Sequence, residues 1–206
     1  MTEKELIETE REKLNEARAY LSKGEEAEAM GCYAVVAEVN PENPEAKFFM
    51  YYMDYVDFVT DEHSDTSKLK LIALNLINSL EYAVKYVAEA DCSKKEKLTV
   101  IRQIVEDYTS IPNFVINMRV SPLAETIQSG VLSLYWLGSY IKNDFNQDPE
   151  AMKLAIIPWK EAVKQQQKWY AYKYEGYKAE DYVAQIQKVD PAYTMPKKAG
   201  CVSTSK

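Results

Sequence analysis

Apolar residues recur at three- and four-residue intervals along most of the chain, with charged residues between them. This is the period of half-buried helices. No run alternates apolar and polar residues beside an Asn-Gly or Asp-Gly turn, so the pattern predicts an all-α fold of about eight helices in antiparallel hairpins. Thr2 with Glu5 forms a capping box, and Leu6, Leu14, Ala17 and Leu21 follow as the apolar stripe of a first helix that Gly24 ends. A second helix runs over about 25–39, with Ala29, Cys32, Tyr33, Val36 and Val39 near one face. In "NPENPEA" Pro41 follows that helix, while Asn43-Pro44-Glu45 supplies an N-cap, a first-turn Pro and an acid for a third helix over 44–60. This third helix carries Phe48, Phe49, Tyr51, Tyr52, Met53, Tyr55, Val56 and Phe58, and apolar residues all round predict cover on more than one side.

A polar loop, "TDEHSDTS", precedes a long helix over about 66–90 marked by Leu69, Ile72, Leu76, Leu80, Ala83, Val84 and Val87. Ser93 with Glu96 is a second capping box, opening a helix that carries Leu98, Ile101, Val105 and Tyr108 and that Ile111-Pro112 should break or kink. Ser121-Pro122 and Asp148-Pro149-Glu150 read as two further starts, Pro158 as a kink, and a last helix spans about 179–189 before Asp190-Pro191. The organisation is one helical domain over 1–193, with divergent helices over 66–189 and a flexible tail over 194–206.

Composition narrows the function classes. The net charge of −7 opposes a phosphate backbone, and the basic pair Lys197-Lys198 lies in the tail, so no nucleic-acid partner is expected. The longest apolar stretch, Gly130 to Ile141, is too short to span a bilayer, and the N-terminus shows no apolar signal segment. Three scattered cysteines, Cys32, Cys92 and Cys201, fit a reducing, cytoplasmic setting and no zinc site. The single His63 sits in "DEHSD", where a solvated loop accounts for it better than a catalytic or metal cluster whose groups must converge from across a fold. No phosphate-binding Gly-rich loop or nucleophile elbow occurs. No catalytic, cofactor or metal residue is therefore assigned, and no enzyme is expected.

Residues 17–41, "ARAYLSKGEEAEAMGCYAVVAEVNP", resemble a tetratricopeptide (TPR) repeat. Ala17 and Tyr20 match the small and aromatic positions of the first helix, Gly24 the turn, Ala29 and Tyr33 the small and aromatic positions of the second, and Pro41 the closing proline. Glu16, Val36 and, in the following unit, Tyr51 depart from the pattern; "GYKAEDYVAQIQKVDPAY" (Gly176 to Tyr193) is a weaker echo. The resemblance implies a TPR-like helix pair over 3–41 followed by divergent helices, and a module that binds a protein or peptide partner. It also implies that the first helices line a groove, which carries over to Arg11, Leu14, Arg18, Phe48, Tyr52 and Tyr55.

Sixteen Tyr against five Phe add faces that are apolar yet able to meet water. Trp169, Tyr170, Tyr172, Tyr174 and Tyr177, with Tyr182, form a second aromatic cluster, read either as the dock for the last helix or as an intermolecular interface. The sequence thus leads to a non-catalytic scaffold or binding module. The alternatives are a self-associating, homo-oligomeric structural protein and a small-molecule sensor with a pocket between the 66–90 and 121–145 helices.

Overall fold

The computed structural model describes residues 2–60, 66–117, 124–168 and 176–198. The loop holding His63, the Ser121-Pro122 start, Cys201, and Trp169, Tyr170, Tyr172 and Tyr174 lie outside the described residues. Among the described residues there are eight helices and no strand: α1 (Glu3–Lys23), α2 (Glu26–Val39), α3 (Pro44–Thr60), α4 (Thr66–Glu89), α5 (Lys94–Asn117), α6 (Ala124–Asp144), α7 (Pro149–Lys168) and α8 (Ala179–Gln187). None of them is long and apolar enough to cross a membrane.

Local signals fix most helix ends. The Thr2 side chain accepts from the Glu5 amide and the Glu5 carboxylate accepts from the Thr2 amide, completing the first box. Gly24 closes α1 in the left-handed region at φ 75°, where a Cβ would be strained. Asn43 Oδ1 accepts from the Ala46 amide, and Asp148 Oδ1 from the amides of Glu150 and Ala151, so both N-cap–Pro starts form as expected. Ser93 and Glu96 close the second box. The helix runs on through Ile111-Pro112 to Asn117, and α7 likewise continues through a buried Pro158, so neither proline breaks its helix.

Contacts that reverse along the sequence make α1 and α2 an antiparallel hairpin: Glu16 meets Cys32 Sγ at 3.6 Å, while Glu10 accepts from Asn40 Nδ2 at 2.9 Å. α3 pairs with α4 and α6 with α7 in the same manner of close neighbours. The second of these pairings needs Gly138, since a Cβ there would collide with the Trp159 indole and sit 2.6 Å from the Ala155 carbonyl oxygen. Trp159 Nε1 donates to the Tyr135 carbonyl across this seam. α5 is the central helix, packing on α1, α3, α4, α6 and α7. That explains why Val100, Ile104 and Asp107 are buried beside the Leu98, Ile101, Val105 and Tyr108 stripe. α8 docks on α7, with the Tyr182 ring tilted against Tyr135 at 4.0 Å and edge-on to Trp159 at 5.6 Å. Beyond it Met195 packs against the core and accepts from Gln167 Nε2, so the chain expected to be loose from 194 is docked at least there.

The stretch joining α2 to α3 is a buried polar hub. Glu45, 0% exposed, accepts from Arg18 Nε and Nη2 at 3.1 and 2.6 Å and from the Tyr33 hydroxyl at 2.8 Å. Burial, opposed by the Glu45 pairing, acts on the guanidinium; the pairing wins and Arg18 stays charged. Burial, then the Glu45 charge, pushes the Tyr33 phenol well up. Next to it Asn43 Nδ2 donates to Glu10 and to the Tyr86 hydroxyl, so "NPENPEA" is tied to α1 and α4 as well as punctuating the chain.

Candidate functional site

α3 has two adjacent faces, and they divide the work. Phe48 and Tyr55 point inward and are buried, and Tyr52 is half-buried. Pro44, Lys47 and Tyr51, one step round the helix, face a groove against α4. The α4 wall is Asn75, Asn78, Ser79 and Tyr82, again a single face at helical spacing. Glu42 closes one end by pairing with Lys47 at 2.8 Å. The cavity holds about 330 Å³.

Its chemistry is neutral and amphipathic. The one cation in the lining, Lys47, is matched by Glu42, whose hydrogen bond holds the ammonium above its usual range. Ser79 is turned back to its own helix, donating to the Leu76 carbonyl. Among the described residues the carboxamides of Asn75 and Asn78 take no partner, leaving two donors and an acceptor on each side chain. Tyr51 and Tyr82 flank them, and Tyr82 is 66% exposed. Leu71, 63% exposed, continues the same α4 stripe beyond the cavity. From Leu71 to Tyr82 the stripe runs roughly 16 Å along the helix.

The sequence-predicted groove residues do not share this surface. Arg11 is exposed, but Arg18, two turns on, is 4% exposed and locked to Glu45. The two differ because α1 enters the core only from Leu14 onward, so its first turns overhang. Leu14, Phe48 and Tyr55 are core, and the Tyr55 hydroxyl is buried without a hydrogen-bond partner. Tyr52 lies near Ser110 and Asp107 rather than in a groove. These six residues therefore do not form an open binding face. α3 is covered on more than one side, by α2, α4 and α5, while Met53 and Val56 remain exposed. Of the second aromatic cluster Tyr177 and Tyr182 are described; the Tyr177 hydroxyl accepts from Trp136 Nε1 and its ring stacks on Tyr135 and Tyr182, which makes it part of the dock for α8.

Asp107 is the most perturbed carboxyl. Only 8% exposed, it is pushed up to about 7, by burial first and then by Glu26 and Glu106, against the hydrogen bond from Gln103 Nε2. It sits at the packed contact of α3 and α5, where its charge in turn adds to the burial that raises the Tyr52 phenol. The two described thiols, Cys32 and Cys92, are unbridged, and burial raises both. Among the described residues no three acidic, His or Cys side chains gather as a metal site. The pocket expected between α4 and α6 meets two helices in direct contact, and the cavity above opens on α3 and α4 instead.

The chain matches no protein-family model, no curated protein and no solved structure. Its geometry is thus the whole basis for a functional reading.

Two cations on one face of α5, Lys95 and Arg102, were not apparent as a patch in the sequence; packing brings Lys153 of α7 to join them. The missed groove residues had a weak local signal. Asn75 and Asn78 are poor helix formers at i and i+3 inside an otherwise apolar helix, a choice that helix stability does not favour.

Proposed function

We propose that the protein is a non-catalytic, TPR-like binding module, and that the α3/α4 groove takes an extended peptide segment of a partner protein. The observation that carries this is the pair of unpartnered carboxamides, Asn75 and Asn78, set between Tyr51 and Tyr82. Residues three apart on a helix are neighbours, with Cβ atoms about 5–6 Å apart. An extended chain rises about 3.3 Å per residue, so two successive same-side backbone amides fall at a matching separation. Each carboxamide offers a donor and an acceptor, the complement of a peptide group. A helical ligand has already satisfied its own backbone and would leave both amides unmatched. The tyrosines add rigid apolar area with a polar tip, suited to a proline or aliphatic side chain. The antiparallel α1/α2 hairpin supports the TPR-like part of the reading, and the unbridged Cys32 and Cys92 support a reducing, cytoplasmic setting.

Selection of a random peptide library on the whole protein tests this. Binders should be lost, by about tenfold or more, on an Asn75→Ala/Asn78→Ala/Tyr82→Ala variant of unchanged melting temperature, since hot-spot truncations cost over 1 kcal/mol each. Peptides that bind the variant as well as the parent would reject the groove. Self-association is the second reading, favoured by the exposed Leu71 and Tyr82 on one stripe. Light scattering separates the two: a monomer at high concentration rejects the second.

A further inference from the structure

α5 and α7 run parallel. Lys94 at the start of one binds Asp148 just before the other at 2.7 Å, and farther along Thr109 and Ile157 line one shared cavity. Their seam opens into a cavity of about 600 Å³ near those starts. Its rim carries Lys95 and Arg102 from α5 and Lys153 from α7, and its floor is Leu98 and Leu154. Lys94 is neutralised by Asp148 and Glu150. Among the described residues Lys95, Arg102 and Lys153 have no acidic partner and all three are exposed. Three unopposed cations around an apolar floor stand out in a chain whose net charge is −7.

We propose that this α5/α7 seam docks an acidic amphipathic helix of a partner protein, at a site separate from the α3/α4 groove. The spacing selects the occupant. Lys95 and Arg102 are seven residues apart, so they share a face and stand about 10 Å apart along the axis. A helix laid along the seam has the same rise, so two carboxylates seven residues apart on it meet both cations at once. Its apolar residues between them fall on Leu98 and Leu154, and the exposed Ile157 one turn farther along α7 extends the apolar track. Lys153 then faces the helix from the opposite wall. A single phosphate would draw both long side chains inward from positions two turns apart, and a long polyanion would run on into the acidic remainder of the chain. Charge-assisted contacts at the rim give register and on-rate, and the exposed Ile157, with the small open parts of Leu98 and Leu154, gives the apolar contact.

Fluorescence anisotropy on the full chain tests the inference, with a labelled helix-forming peptide of about 14 residues as the probe, bearing two glutamates seven residues apart and leucines between them. Saturable binding that weakens as salt rises is expected, and a Lys95→Glu/Arg102→Glu variant should lose roughly tenfold in affinity. A Lys178→Glu variant, altered at the N-cap of α8, should bind as the parent does. These exposed changes should leave the melting temperature within a few degrees, which keeps the comparison interpretable. Equal binding by the charge-reversed variant overturns the proposal. So does a peptide with the glutamates moved to adjacent positions that binds equally well, because the two-turn register is then irrelevant. A single-stranded RNA or inorganic phosphate that displaces the probe at lower concentration than unlabelled peptide does also overturns it, in favour of a phosphate site. Failure of the α3/α4 groove leaves this test untouched, since neither seam residue lies on α3 or α4.

Discussion

Removing the Glu45 carboxylate should be among the most damaging single changes in this molecule, and the reason can be worked from three contacts. Glu45→Ala strips the buried Arg18 guanidinium of both its charge-assisted bonds and the Tyr33 hydroxyl of its acceptor. Breaking a buried ion pair by removing one partner costs about 3–5 kcal/mol, and the orphaned hydroxyl adds about 1 kcal/mol. A loss of roughly 4–6 kcal/mol is a large share of the 5–15 kcal/mol typical of a whole domain. For a chain of this size it corresponds to roughly 8–24 °C in melting temperature. The pair itself is a different matter, because two charges taken out of water recover little more than their desolvation. Arg18→Met/Tyr33→Phe/Glu45→Leu should therefore lie within about 2 kcal/mol of the parent, far less than the summed single changes. Urea unfolding followed by circular dichroism measures all the variants. A Glu45→Ala loss under 1 kcal/mol, or a triple variant as unstable as the sum of its parts, would refute the view that Glu45 is there to match the buried Arg18 of α1.

Three further outcomes follow from the interior. Asp107 keeps its proton to about pH 7 in the folded chain against an ordinary value of 3.8, so the folded state holds more protons between those values and the parent loses stability as pH rises from about 4 to about 7. Asp107→Asn removes that dependence; its advantage should grow across the same window to at most about 4 kcal/mol and stay level above pH 7, and unfolding titrations at several pH values that show a constant or shrinking advantage would contradict this. Gly138→Ala gains about 1 kcal/mol of helix propensity but drives a methyl into Trp159 and the Ala155 carbonyl, so thermal unfolding should show a net loss of about 1–2 kcal/mol, with the Trp159 fluorescence environment altered. Tyr55→Phe deletes a buried hydroxyl that has no partner and should be neutral or stabilising by up to about 1 kcal/mol; a clear loss would mean that the hydroxyl is bonded.

Helix ends were legible in the sequence because caps are local chemistry. Thr2 with Glu5, Asn43-Pro44, Ser93 with Glu96 and Asp148-Pro149 each act within one turn, and each forms as its residues imply. Burial was legible where a single apolar stripe carries it, as with Ala29, Cys32, Tyr33 and Val36 on α2. The central place of α5 was not, because Val100 and Ile104 fill faces that need several neighbours, and which helices come to surround it is decided by non-local packing. Arg18 read as a groove cation because its partner, Glu45, lies 27 residues away on another helix. The same holds for the α5/α7 seam: Lys94-Lys95-Glu96-Lys97 is basic in the sequence, but Lys95 and Arg102 meet Lys153 only after packing. On α3 the aromatic run hid a difference of one residue in register, which sends Phe48 and Tyr55 to the core and Tyr51 to the groove.

The central claim is that Asn75 and Asn78 receive a peptide backbone, and the side-chain amide resonances of these two residues report on it directly. Titration of the labelled protein with a library-selected peptide should shift the Asn75 and Asn78 side-chain N–H signals together with the Tyr51 and Tyr82 ring signals, and should slow exchange of the bound amides with water. Shifts confined to other faces, with both carboxamides unmoved at saturation, would contradict the account.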